Sequence, residues 1–225
     1  MNSELQLVEE VIKGLNTPNN DERRKAESQL QDLMSKNKIG LVLCLCQILT
    51  EKDDQTLLTY CAVIAQKLVK VPEGESCNPD WKAASNEIKE QIKEKLISAL
   101  LKCTNKSLKK KITYIVGNIY ESVSENNEKW ETVLRFIADG FKLPLTPDNA
   151  LNIETSVNLL AKVYNYAHKE LSAGIDVFID GFKKYFAEGS LDIQTNSVEA
   201  ICEILAGYID KANSKKFKDL MINIL

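Results

Sequence analysis

"TPNNDERRKAESQLQDL", residues 17–33, can be read in two opposed ways. Three cations in a row, Arg23, Arg24 and Lys25, follow Asp21 and Glu22 and suggest a site for a polyanion. The spacing of Ala26, Leu30 and Leu33 suggests instead one buried face of a helix that starts after Pro18 and two asparagines. Successive helical residues lie about 100° apart, so three cations in a row fan over about 200° and form no single patch. Asp21 and Glu22 suit a helix start, and Asp21–Lys25 and Arg23–Glu27 stand four residues apart, where exposed charges pair. The helix reading therefore accounts for both the charges and the apolar spacing.

The same period runs outward in both directions. Leu5, Val8, Ile12 and Leu15 make a stripe before the break at Pro18. After "SKNK", the run Ile39 to Leu49 is almost wholly apolar, as in a helix covered on several sides. Leu57, Cys61, Ile64, Ala65 and Leu68 follow, then a long polar loop, "PEGESCNPD", closed by Trp81. Further stripes are Ile88–Leu100, Leu108–Ile119, Trp130–Phe141, Ile153–Tyr164, Leu171–Phe186 and Val198–Ile209, and an eleventh helix begins near Ser214. No strand-like alternation competes with them. The breaks before the second helix of each pair fall near Asn19, Asp53, Lys106, Asp148 and Leu191, spaced 34, 53, 42 and 43 residues apart. Helix-pair repeats run about 40–47 residues, and the long loop explains the excess in the second spacing. A helix pair cannot bury its apolar faces alone, so the pairs must stack.

The expected fold class is all-α, a right-handed α-solenoid (superhelix) of HEAT-type helix pairs. Its repeats are expected at about 3–36, 37–70, 81–124, 127–167 and 169–210, with the start of a sixth at 213–225. "FKDLMINIL" ends in mid-stripe without the polar cap a terminal repeat needs, so residues 1–225 are expected to be the N-terminal part of a longer solenoid.

Composition narrows the function. Nine glycines and five prolines in 225 residues are few for a sandwich or barrel. A net charge of −3 is not the footprint of a nucleic-acid binder. Lys109, Lys110 and Lys111 fan around a helix as the first triplet does, and the aromatics are not interleaved with cations as in a stacking platform. No apolar run of about 18 residues suggests membrane insertion. Without a secretion signal the six cysteines are expected to be reduced, mostly small core residues. Cys44 and Cys46 point about 200° apart on a helix, poorly placed to share zinc. The lone histidine, His168, has no nucleophile or orienting acid at a recognisable spacing, and fits a helix end near its dipole. No GxxxxGK[ST], GxGxxG or HExxH occurs. No enzyme, catalytic residue, cofactor or metal is expected.

Several segments resemble a known family. "LNTPNNDERRKAESQLQDL" looks like the first repeat of importin-β-type karyopherins, with Arg23, Ala26, Glu27 and Leu30 on its "xRxxAExxL" helix. "LLTYCAVIAQKLVK" resembles the second-repeat element through Cys61, Ala62, Ile64, Lys67 and Leu68, and a tryptophan in the following loop, here Trp81, is typical. "SLKKKITYIVGNIYESV", an acidic loop and Trp130 are similar to the third repeat, nearest the importin-5 branch. Leu58 departs from the arginine common there, and Glu22 from an apolar residue.

The resemblance implies a nuclear transport receptor. It implies that Ran in its GTP form binds the inner, concave helices, here about 20–36, 54–70, 107–123, 149–167 and 191–210. It also implies cargo proteins with nuclear localisation signals, FG-nucleoporins docked between outer helices such as those at Leu171–Phe186 and Phe217–Leu225, and shuttling between cytoplasm and nucleus. Partner-facing positions off the core stripes are Arg23 and Glu27 on the first inner helix and Val63, Gln66, Lys67 and Lys70 on the second. On the third they are Lys110, Tyr114, Gly117, Asn118 and Glu121. The competing function is a HEAT-repeat scaffold or adaptor for complex assembly.

Overall fold

The computed structural model describes residues 2–172, 174–206 and 211–222. Every regular element among them is a helix: α1 (Asn2–Leu15), α2 (Asn20–Glu51), α3 (Gln55–Val69), α4 (Pro79–Ala83), α5 (Asn86–Lys102), α6 (Lys106–Glu125), α7 (Glu131–Lys142), α8 (Pro147–Ser172), α9 (Ile175–Glu188), α10 (Leu191–Ala206) and α11 (Lys211–Ile222). They fall into two compact units, Met1–Ser122 and Val123–Leu225.

The sequence breaks have local causes. Asn19 caps α2, its Oδ1 accepting from the N–H of Asp21 (3.0 Å) and Glu22 (3.4 Å). Glu22 reaches back, its carboxylate accepting from Thr17 Oγ1 (3.0 Å) and Asn19 Nδ2 (3.2 Å). The N-x-x-E spacing is a capping-box signature that the charge-run reading passed over. Arg23 donates to Asn20 Oδ1 at 2.7 Å rather than pairing with Glu27. An exposed i,i+4 ion pair is worth only about 0.3–0.5 kcal/mol, so an amide oxygen three residues away competes with it.

The expected break at "SKNK" is a kink inside α2. Asn37 leaves helical geometry (φ −159°, ψ 82°), and its Oδ1 accepts from Gly40 N–H at 2.9 Å, restarting the helix. By length and composition α2 could cross a membrane, a departure from the sequence reading, which found no apolar run long enough. Its polar first half is largely exposed, whereas Leu41, Val42, Leu45, Cys46, Ile48 and Leu49 are buried in the first unit. A second kink, at Ala167, leaves Leu171 on the tail of α8, so α9 begins at Ile175. The expected tenth stripe runs to Ile209, which lies outside the described residues.

In the first unit α2 packs on α1, α3 and α5. The alanine of the "RKAE" motif has a steric reason: a Cβ on Gly14 of α1 would come within 2.9 Å of Ala26 Cβ. Small residues on both helices let the backbones approach. Glu9 ties α1 to Lys52 (2.8 Å) while pairing with Lys13 (2.7 Å), and these two partners hold its carboxyl below the usual range.

The second unit is built around aromatics. Phe141 meets Phe178, Phe182 and Tyr185 with ring centroids 5.0, 5.3 and 5.5 Å apart, and Phe182 reaches Phe217 at 6.2 Å. Tyr185 is fully buried and Phe186 only partly, although the sequence reading put Phe186 on the core stripe. Tyr185 hydroxyl is buried without a hydrogen-bond partner. Tyr185→Phe should therefore leave stability unchanged or raise it by up to about 1 kcal/mol, since it removes an unmet donor and no contact. A clear loss in urea unfolding would show that the hydroxyl has a partner.

α7 and α8 cross where Gly140 faces Ser156, and a Cβ at Gly140 would overlap both Cβ and Oγ of Ser156. Gly140→Ala should cost about 1–3 kcal/mol by forcing the helices apart. Ser156→Gly in the same chain should recover much of it, and additive losses in a double-mutant cycle would overturn this account.

Candidate partner interface

The positions expected to face a partner on α2, α3 and α6 all lie within the first unit. Arg23 and Glu27 are exposed on the straight first half of α2. On α3, Lys67 and Lys70 are exposed, and Val63 and Gln66 half-buried. On α6, Lys110 is exposed, Tyr114, Asn118 and Glu121 are half-buried, and Gly117 is buried. Each set shares one face of its helix through i, i+3, i+4 and i+7 spacing. The flat aromatic beside a gap expected at Tyr114 and Gly117 is thus only half presented to solvent.

α3 has one more residue on this face. Tyr60 stands three before Val63 and seven before Lys67, and its hydroxyl donates to Asn16 Oδ1 in the α1–α2 turn at 3.0 Å. The same spacing argument finds it. The exposed cations Lys67, Lys70 and Lys110 give the α3 and α6 faces positive charge, suited to an acidic partner surface.

The triple lysine separates as helix geometry requires. Lys110 is exposed, Lys111 half-buried and Lys109 buried, and burial lowers the Lys109 pKa. It makes no polyanion patch.

A residue that the sequence reading left in a loop organises the end of α3. Asn78 is 3% exposed. Its Nδ2 donates to the carbonyls of Leu68 (3.0 Å) and Lys70 (3.1 Å), and its Oδ1 accepts from Asp80 N–H (3.0 Å) and Trp81 N–H (3.1 Å). Its backbone N–H donates to Ser122 Oγ of α6 at 3.0 Å. Trp81 is buried beside it, with Lys89 Nζ 5.9 Å from the ring centroid, and Lys38 pairs with Asp80 at 2.6 Å.

All six cysteines are free thiols. Cys46, Cys61 and Cys77 are buried, Cys44 and Cys103 half-buried, and Cys202 is exposed, an exception to the core reading. Burial pushes Cys44 up to about 11 and Cys61 up to about 12, far from a reactive thiolate. Among the described residues no group of three His, Cys, Asp or Glu side chains could hold a metal. His168 follows the α8 kink, its Nδ1 3.3 Å from Asn165 carbonyl, and Ser172 hydroxyl donates to its carbonyl. At the outer helices Phe182 and Phe217 pack ring to ring between α9 and α11, and Lys216 pairs with Asp176 at 2.5 Å. Residues 223–225 of the expected nucleoporin site lie outside the described residues.

Helix pairs, capped at Asn19 and Asp54 and spaced near 40 residues among the described residues, define an α-solenoid of HEAT-type repeats, and comparison of structures supports this fold over the whole chain. Kap121p in crystal structures matches all of the chain, at 19% identity and TM-score 0.81 when alone and at 18% and 0.78 when bound to RanGTP. Kap121p bound to Nup53p matches 99% of it, at 18% and 0.78. The chain spans 20% of the length of each of these proteins. The match shows the fold, the α-solenoid of HEAT-type pairs expected from the sequence. No curated protein matches the sequence. The family described as "IPO5-like, TPR repeats" matches residues 104–225, more than half of the chain. The chain belongs to this IPO5-like family, within the importin-β superfamily.

Proposed function

We propose that this chain is the part of an importin-β-like transport receptor that binds Ran in its GTP form, through the exposed faces of α2, α3 and α6. In this reading the receptor carries cargo with nuclear localisation signals, meets FG-nucleoporins and shuttles between cytoplasm and nucleus. The repeats of this array are those bounded above. The observation that carries the reading is the exposure of three cations, Lys67 and Lys70 on α3 and Lys110 on α6, on second-of-pair helices of a chain in this family. The Kap121p complex with RanGTP supports it by analogy of fold. Ran and cargo need no covalent chemistry to exclude each other. Binding that favours different states of one deformable array couples the two reciprocally.

The test is a pull-down with Ran loaded with a non-hydrolysable GTP analogue or with GDP. Binding of the GTP form alone is expected. Equal capture of both forms, or no capture even with a longer chain, sinks the proposal and leaves a scaffold or adaptor. Lys67→Glu, Lys70→Glu and Lys110→Glu together should weaken capture about tenfold or more, chiefly through slower association at low salt.

A further inference from the structure

The end of α3 carries Lys67 and Lys70, and nothing in a helix terminus by itself holds such residues in place. The last carbonyls of a helix lack intrahelical partners, and the last turn frays unless something accepts the task. Here Asn78 does so from eight residues downstream. Its two amide hydrogens go to Leu68 and Lys70 carbonyls, and both acceptances at its oxygen come from the start of α4. Rotating the amide by 180° would break all four bonds, so its orientation is fixed by its partners.

Asn78 is also tied to the third helix of the candidate interface. Its backbone N–H meets Ser122 Oγ, and Ser122 adjoins Glu121 on α6. The chain between Lys70 and Asn78 leaves and returns as a closed loop. Its tip turns at Pro72–Glu75 (Glu75 N–H to Pro72 carbonyl, 3.1 Å), with Gly74 at φ +86° supplying the left-handed residue that such a turn needs. The loop base is buried through Cys77, Asn78 and Trp81 and is braced on α2 by the Lys38–Asp80 pair. One buried residue thus joins the last turn of α3 and the start of α4 through its side-chain amide, and the C-terminal half of α6 through its backbone N–H.

We propose that Asn78 is a positioning residue for the partner interface, fixing the α3 turn that bears Lys67 and Lys70 against the α6 segment that bears Asn118 and Glu121. The inference rests on the reading of these faces as the Ran-binding surface. Asn78 touches no partner. Its effect is preorganisation: a partner that meets an ordered pair of faces spends no binding energy on ordering them.

Asn78→Ser separates the two halves of the clamp. Serine still caps α4, as it does helices generally, but it is too short to reach the α3 carbonyls. In the 225-residue chain, amide hydrogen exchange should quicken at residues 67–71 and stay unchanged across α5. Affinity for Ran loaded with a GTP analogue, measured well below the unfolding transition, should fall about threefold to tenfold. The decisive readout is non-additivity. In a Lys67→Ala/Lys70→Ala background, Asn78→Ser should cost little further affinity, because the residues it positions are gone. Ser122→Ala, which cuts the α6 tie and leaves the side-chain bonds of Asn78 in place, should weaken binding in the same direction, and keeps the test open if Asn78→Ser folds poorly. Wild-type affinity in Asn78→Ser, or a loss that simply adds to the lysine substitutions, overturns the proposal. Failure of the unmodified chain to bind either nucleotide form overturns the interface reading, and the positioning role with it. Quickened exchange at 67–71 would then leave Asn78 as a structural clamp alone.

Discussion

Phe182→Ala should destabilise the second unit by about 3–5 kcal/mol, a large part of the 5–15 kcal/mol that a domain commonly has. Phe182 is fully buried and sits in a ring cluster that draws on three helices: Phe141 from α7, Tyr185 from its own α9 and Phe217 from α11. Truncation removes its burial and its edge-to-face contacts, and leaves a cavity lined by rigid rings that collapse poorly. Among its described residues α11 is otherwise anchored by Leu220, the Lys216–Asp176 pair and the edge-to-face contact of Phe217 with Tyr164 of α8, so its docking on α9 should weaken most. The measurement is urea unfolding read by fluorine NMR of fluorotryptophan. Trp81 and Trp130 lie in different units and give one signal for each. The Trp130 transition should move to lower urea. Unchanged midpoints for both signals would count against the cluster as the core of this unit.

Trp81→Ala should cost the first unit a similar amount, about 3–5 kcal/mol. The ring is 2% exposed and closes the loop that leaves α3. Its loss removes the seat for the Lys89 ammonium and unpacks the small cavity lined by Ile39, Val42, Leu68 and Ile119. The indole N–H is buried without a partner, so Trp81→Phe should cost much less than Trp81→Ala. Far-UV circular dichroism during thermal unfolding, which follows the helices themselves and needs no tryptophan in this unit, separates the two variants by their melting temperatures. Equal losses would mean that the indole N–H has a partner and that shape alone does not explain the site.

The two residues were unequally legible. Phe182 lies on a 3.6-residue stripe with Phe178 and Ile179, and the period alone marks it as buried. Tyr185 lies on the same arc, but the spacing equally admits Phe186, because two neighbours both fit a broad apolar face and only the crossing with α7 chooses between them. Asn78 was harder still. In sequence it is one polar residue in "PEGESCNPD", where Asn before Pro reads as turn chemistry. Its buried role depends on carbonyls eight and ten residues back and a hydroxyl 44 residues on. Spacing rules do not reach that far. The partner-facing residues stand between these cases. Helical spacing groups Val63, Gln66, Lys67 and Lys70 on one face, but the half-burial of Val63 and Gln66 and the burial of Gly117 come from the helices packed beside them.

By itself, the sequence determined the helices, the pairs and the faces that must be buried, because a 3.6-residue apolar period and the caps at breaks are local properties of the chain. It also determined that the basic triplet at 23–25 is a helix surface, since three successive residues cannot share one side. The tertiary structure alone decided where helices approach closely, at Gly14 with Ala26 and Gly140 with Ser156, and which loop residue ties three helices together. Close packing and buried hydrogen bonds are set by pairs of groups far apart in sequence, and only the folded chain brings such pairs within reach of each other.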